Sequence, residues 1–276
     1  MLKENSGKAE LAEYLKELRL PVVRSCYEAV AKQAVQESLS YENYLLQVVE
    51  RECEVRWQNR IERRLRESKL PLDKSLKSFD LKRLPTKVHQ QVNSLMEGSF
   101  VDRRENILAF GNPGSGKTHL LCAIAQELIR QNRRVLYTTS STLVQELLRA
   151  KRNLVLPRLL KKLGMNEVLF IDDIGYVQQN REEMEVLFTL LADRYERGSI
   201  LITSNLPFSG WEAIFKDPMT TAAAIDRLVH HSIILELNLP SYRMEQAKKT
   251  KAQIEKKKGL EVAEDNVDSC RDNGEK

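Results

Sequence analysis

At 276 residues the chain is long enough to bury a sizeable core, which excludes a small scaffold that needs disulfides or metal to hold it. Its 44 basic and 39 acidic residues leave a formal charge of +5, an excess that permits a nucleic-acid partner without identifying one. The four cysteines, Cys26, Cys53, Cys122 and Cys270, show no C-x-x-C spacing, so neither a zinc site nor a disulfide framework is expected and a reducing, cytoplasmic setting fits.

In chain order, the opening MLKENSGKAE mixes both charge signs, and nowhere is there an apolar run long enough to span a bilayer, so neither export nor a membrane partner is expected. Residues 8–69 are charged, contain the single proline Pro21 and place Leu11, Leu15 and Leu18 at helical spacing. That pattern predicts several helices. Residues 70–85, LPLDKSLKSFDLKRLP, carry two prolines and no sustained period, as a connector does. A boundary near Leu76 follows, with a small all-helical domain over 1–75 and a second unit over 76–243.

Short apolar runs then alternate with helical stretches: NILAFG at 106–111, VLYTTS at 135–140, VLFIDD at 168–173, ILITSN at 200–205 and SIILEL at 232–237. This rhythm predicts an α/β unit, a parallel five-stranded sheet covered by helices. Between the third and fourth runs, residues 182–197 put Met184, Leu187, Phe188, Leu191 and Tyr195 on one face and are followed by Gly198, which predicts a helix that covers the sheet. Residues 244–276 are lysine-rich and then acidic, too poor in apolar residues to build a core, and are expected to form a disordered tail.

The run NILAFG leads into Gly111-Asn112-Pro113-Gly114-Ser115-Gly116-Lys117-Thr118, and His119 opens the apolar helical pattern HLLCAIAQELI. This is G-x-x-x-x-G-K-[ST] in its strand–loop–helix context, a P-loop for ATP. Glycines let backbone N–H groups converge on phosphates at a helix N-terminus. Lys117 adds charge, and the Thr118 hydroxyl is a magnesium ligand. An accidental glycine-rich turn accounts for Gly111 and Gly114 but not for the Lys-Thr pair. Downstream, Val168-Leu169-Phe170-Ile171 delivers Asp172 and Asp173 to a strand end. Asp172 is placed to hold Mg2+ and Asp173 to polarise the attacking water; a solvated strand end is the competing reading for Asp173.

On these pieces the stretch 79–243 resembles the AAA+ ATPases of the IstB type, helpers of insertion-sequence transposases related to the DnaC helicase loaders. The likeness runs through IDDIGY at 171–176, ERGSILITSNLPFSGW at 196–211 and AAAIDRLVHHS at 222–232. The resemblance implies an AAA+ αβα core. It also implies that Asn205 is the sensor 1 residue that orients the lytic water, although by itself Asn205 ahead of Pro207 reads as a turn residue. It further implies that Arg227 is an arginine finger reaching ATP in the neighbouring subunit, which requires a homo-oligomer with ATP at its interfaces. A surface arginine beside Ile225 and Leu228 is the other reading. AAA+ proteins usually carry glutamate where this chain has Asp173, so slow hydrolysis is expected. The chain is too short after Tyr242 for a C-terminal lid, so no sensor 2 residue is assigned.

Two segments concentrate positive charge. Residues 56–69 carry Arg56, Arg60, Arg63 and Arg64 beside Trp57, and residues 149–162 carry Arg149, Lys151, Arg152, Arg158, Lys161 and Lys162 with no acid. Contacts from such groups to double-stranded DNA would be to phosphates and weakly sequence-dependent. Solvated helix faces are the alternative, and the N-terminal domain serves equally as a surface for the cognate transposase. The combined reading is a magnesium- and ATP-dependent ATPase that assembles on duplex DNA and assists a transposase. The rivals are a DnaC-like loader acting on single strands and a scaffold that binds ATP without hydrolysing it.

Overall fold

A computed structural model describes residues 2–174, 181–207, 210–211, 225–242 and 244–245. The chain divides into two compact units, Met1–Glu67 and Ser68–Lys276. Among the described residues no helix is long and apolar enough to cross a membrane.

The first unit is three helices, α1 (Leu2–Glu17), α2 (Pro21–Gln36) and α3 (Tyr41–Glu67). Pro21 opens α2, where its missing N–H costs nothing and its fixed φ suits the first turn. Leu15, Val23, Val30 and Val48 form the buried core. Glu52 on α3 is 3% exposed. It accepts from the backbone N–H of Val22 at 2.9 Å and of Val23 at 3.1 Å, two donors that the first turn of α2 leaves without intrahelical partners. Arg56 reaches the other carboxylate oxygen at 2.8 Å and also donates to the Arg19 carbonyl.

Burial pushes the Glu52 carboxyl up, but the Val23 amide, the Arg56 guanidinium and the Val22 amide outweigh it and hold the group below the usual carboxylate range. A depressed folded-state pKa contributes stability that is present above the unfolded value and is lost as pH falls through the folded value. Glu52→Gln is therefore expected to cost about 1–2 kcal/mol at neutral pH. It should also weaken the acid dependence of helix melting, followed by circular dichroism. A variant with an unchanged acid limb would remove this role from Glu52.

The second unit contains α4 (Thr86–Met96), α5 (Ser99–Asp102), β1 (Asn106–Gly111), α6 (Lys117–Arg130), β2 (Val135–Thr139), α7 (Ser140–Arg152), α8 (Leu156–Gly164), β3 (Val168–Ile174), α9 (Arg181–Arg194), β4 (Ser199–Ser204) and β5 (Ser232–Leu237). The five strands lie in the order β2-β3-β4-β1-β5, and every pairing is parallel. Leu108, Leu169, Ile171, Ile200 and Ile202 join one cluster with α7, α8 and α9. The alternate positions Ile107, Ala109, Val168, Phe170 and Leu201 are buried too, and the strand period turns them to the other face, where α6 packs on β1, β2 and β4. The fold is the expected α/β unit, a helix–sheet–helix sandwich.

Residues 68–85, read as a connector, pack onto this unit. Tyr137 N–H donates to the Ser68 carbonyl at 2.8 Å, and Gln126 on α6 donates to the Lys74 carbonyl at 3.1 Å. The helix expected over 182–197 ends at Arg194, whose guanidinium is 3% exposed and donates to the carbonyls of Leu163, Asn166, Glu167 and Ser199. Burial lowers its pKa to about 10, so it remains a cation at neutral pH, neutralising the end of α8 and joining it to the start of β4. Arg243, the lysine-rich stretch 248–258 and the acidic end of the expected tail lie outside the described residues.

Candidate nucleotide site

The carboxyl ends of β1, β3 and β4 meet at one edge of the sheet, and a cavity of about 580 Å³ opens over them. A parallel sheet binds ligands at that edge, where adjacent strands lead into loops on different sides. The expected P-loop fills the gap between β1 and α6. Gly111 has φ +147°, and a Cβ there would stand 2.2 Å from the Leu237 carbonyl oxygen of β5, so the loop leaves the sheet with no room for a side chain. Gly116 caps α6 at φ +98°, and its missing side chain lets the loop lie against Phe79. Ser115 is buried with its hydroxyl unpartnered. A glycine cradle with a spare buried hydroxyl at the start of a fourteen-residue helix fits a phosphate chain.

Lys117 is 6% exposed, and its ammonium donates to the carbonyls of Gly111 at 2.8 Å and Asn112 at 2.9 Å and to Asn205 Oδ1 at 2.8 Å. Burial lowers its pKa against the opposing pull of Asp173 and Asp172. Asn205 Nδ2 donates to Asp173 Oδ1 at 3.0 Å, so one amide ties the lysine of the loop to the second carboxylate.

Asp172 accepts from the Thr118 hydroxyl at 2.8 Å and the Thr203 hydroxyl at 2.6 Å on Oδ1, and from the Tyr137 hydroxyl at 2.9 Å on Oδ2. A threonine hydroxyl and a carboxylate held side by side are the hard oxygen donors that magnesium takes, so the residues present fit that ion.

Consecutive strand residues normally point to opposite faces, yet Asp172 and Asp173 both line the cavity. The reason is a register break between Ile171 and Ile174 where β3 pairs with β4, with Asp173 at φ +63°. Thr203 holds the break by accepting from the Asp173 N–H at 2.7 Å. Asparagine and aspartate tolerate that left-handed backbone better than glutamate does, which is a physical reason for aspartate here. Burial and then the neighbouring Asp172 raise the Asp173 carboxyl above its ordinary value, against Lys117.

The remaining sequence candidates are spread out. His119 lines the cavity and bonds through Nε2 to the Ser75 carbonyl at 3.0 Å and the Ser78 hydroxyl at 3.1 Å, with its ring edge-on to Phe79. Arg227 does not line the cavity; its guanidinium lies 4.7 Å above the Phe188 ring of α9. Arg149, Arg158, Lys161 and Lys162 are exposed on α7 and α8, while Lys151 and Arg152 pair with Glu185 and Glu182 of α9. In the first unit, Arg60 and Arg63 are exposed, Arg64 is half-buried and Arg56 is engaged by Glu52.

Sequence reading missed Tyr137 and Thr203, the two residues besides Thr118 that hold Asp172. Thr203 was within reach of it, since it sits two positions before Asn205 on the same strand face. It also missed the wall made by Phe79, Leu239 and Tyr242, where the Arg83 guanidinium stacks 5.1 Å from the Tyr242 ring. No motif marks these residues, because they come from opposite ends of the unit.

A family model described as IstB-like ATP binding protein matches residues 13–251. An insertion-sequence ATP-binding protein of Sinorhizobium fredii is 42% identical over 244 residues, 88% of this chain and 82% of that one. The corresponding protein of insertion sequence IS21 from Pseudomonas aeruginosa is 36% identical over 240 residues, 87% and 91% of the two chains. Among solved structures, a DnaC helicase loader matches with TM-score 0.52 at 15% identity, covering 60% of this chain and 98% of that chain. AMPPCP-bound DnaA from Aquifex aeolicus gives 0.51 at 17%, covering 67% and 56%. At these identities the likeness to the solved structures is one of fold.

Proposed function

The chain belongs to the family of IstB-like ATP-binding proteins, and from that premise we propose that it hydrolyses magnesium-ATP in this cavity, assembles on duplex DNA and assists a transposase in choosing where an element is inserted. The observation that carries the reading is the convergence of Lys117, Thr118, Asp172, Asp173 and Asn205 on one cavity from two strand ends and a helix N-terminus.

When bound, magnesium supplies positive charge against the terminal phosphates of ATP. Lys117 exchanges its contacts with Gly111, Asn112 and Asn205 for phosphate oxygens. Freed from the lysine, Asn205 keeps its bond to Asp173 and holds that carboxylate toward the water it polarises. Tyr137 and Thr203 keep Asp172 oriented for the metal. Phe79 and Tyr242 offer aromatic faces to the base.

Arg227 lies outside its own cavity, which suits an arginine that acts on ATP held by a neighbouring copy. The exposed cations of α7 and α8 supply phosphate contacts to DNA. Arg227→Ala is expected to keep ATP affinity near that of the wild type, lower turnover by roughly 10³-fold and abolish ATP-dependent assembly on duplex. Light scattering with Mg-ATP and either duplex or single-stranded DNA tests this directly. A wild-type chain that assembles on single strands and stays monomeric on duplex would reject the duplex platform in favour of a loader-type activity.

A further inference from the structure

We propose that Glu196, His230 and His231 form a binding site for a divalent transition-metal ion of the zinc type, at the edge of the sheet away from the nucleotide cavity. Glu196 lies in the turn that leads into β4, and the His231 carbonyl accepts from Asn106 N–H at the start of β1. The three residues therefore gather where the parallel strands begin, whereas nucleotide would sit where they end.

One ligand atom from each residue lies within 4.8 Å of the other two. The cluster takes up two of the four histidines in the chain. Their rings meet edge to face at 4.2 Å, and His231 Nε2 stands 3.8 Å from Glu196 Oε1. Donors around an ion at about 2.0–2.1 Å are separated by about 3–3.5 Å. The cluster thus closes on an ion with shifts of at most about 1.5 Å, which χ rotation of exposed side chains supplies.

The surroundings hold the cluster in place. The Tyr195 hydroxyl is 3.1 Å from His230 Nδ1, a contact of the kind that orients a ligating imidazole. Glu196 has the left-handed φ of +57°, and its carbonyl accepts from the Arg104 guanidinium, which fixes the turn that presents its carboxylate. Two imidazoles and one carboxylate select zinc, cobalt or nickel over magnesium or calcium, which prefer all-oxygen sets. Exposure of all three residues gives the ion free entry and lets water complete its coordination. A bound ion would tie the segment carrying Arg227, three residues before His230, to the α9–β4 turn.

The test is titration of tag-free full-length protein with Zn2+ by calorimetry and with Co2+ by visible absorption, in millimolar magnesium to hold the nucleotide site. A Cys53→Ser/Cys270→Ser background removes the thiol that is exposed among the described residues and that of the C-terminal segment as competing ligands. One equivalent should bind, and binding should be lost in His230→Ala/His231→Ala with the melting temperature of the metal-free protein unchanged. Tyr195→Phe should weaken binding by roughly 10–100-fold, a change that general surface adsorption does not produce. Equal binding by wild type and the double variant, or binding by neither, overturns the assignment.

Discussion

Asp173→Asn is expected to lower ATP turnover by roughly 10²–10⁴-fold while ATP affinity stays the same or rises slightly. The substitution is nearly isosteric and keeps the neighbouring geometry. Asparagine tolerates the left-handed backbone at this position, its Oδ1 still accepts from Asn205, and its N–H still reaches Thr203. What disappears is the negative charge that takes the proton from water. Removing that charge beside Asp172 also relieves repulsion toward the phosphates.

The pH profile provides an independent check. Burial and Asp172 raise the Asp173 carboxyl, so the ionised base is lost on acidification at a higher pH than an ordinary aspartate would show. Turnover of the wild type should fall along an acid limb displaced upward, and the residual turnover of the variant should lack that limb. Phosphate release measured across pH, beside titration with a fluorescent nucleotide, separates chemistry from binding. Wild-type turnover in the variant would assign the base elsewhere and leave Asp173 as a strand end.

The second large effect is on binding. Lys117→Ala should weaken Mg-ATP binding by roughly 10²-fold or more, the loss of two charge-assisted hydrogen bonds at about 1.5–3 kcal/mol each offset by reorganisation. Two features of the site make the loss large. The ammonium is buried, so its attraction to phosphate is poorly screened by water. It is also the cation between Asn205 and the loop carbonyls, so alanine leaves those carbonyls without their donor and Asp173 without a neutralising neighbour. Calorimetric titration with Mg-ATP reads the affinity, and a melting curve of the nucleotide-free variant reads the cost of the orphaned groups. Retained affinity in a folded variant would mean that phosphate is held elsewhere.

Much of this site is legible along the chain because its parts are local. A glycine loop between an apolar run and a helical pattern is a contiguous stretch, and so is an apolar run ending in two acids. All five strands stand where alternation and composition place them, within a residue or so. The end of α9 is less legible, since the chain turns left-handed at Glu196, ahead of Gly198, and the Arg194 side chain there bonds to carbonyls of α8 and the α8–β3 turn about thirty residues away, which no window around residue 194 contains.

The P-loop, the carboxylate strand, the five-stranded α/β plan and the helical first unit can all be read along the chain, because each rests on short-range periodicity and on residue types with narrow chemical uses. Tertiary structure alone decided that β4 lies between β1 and β3, which sets Asn205 between Lys117 and Asp173, and that a register break turns two successive aspartates into one cavity. It alone brought Phe79 to Tyr242 and Glu196 to the two histidines. Strand order and register are set by pairing between distant segments and by the handedness of the crossovers that join them, and neither leaves a mark in the local pattern.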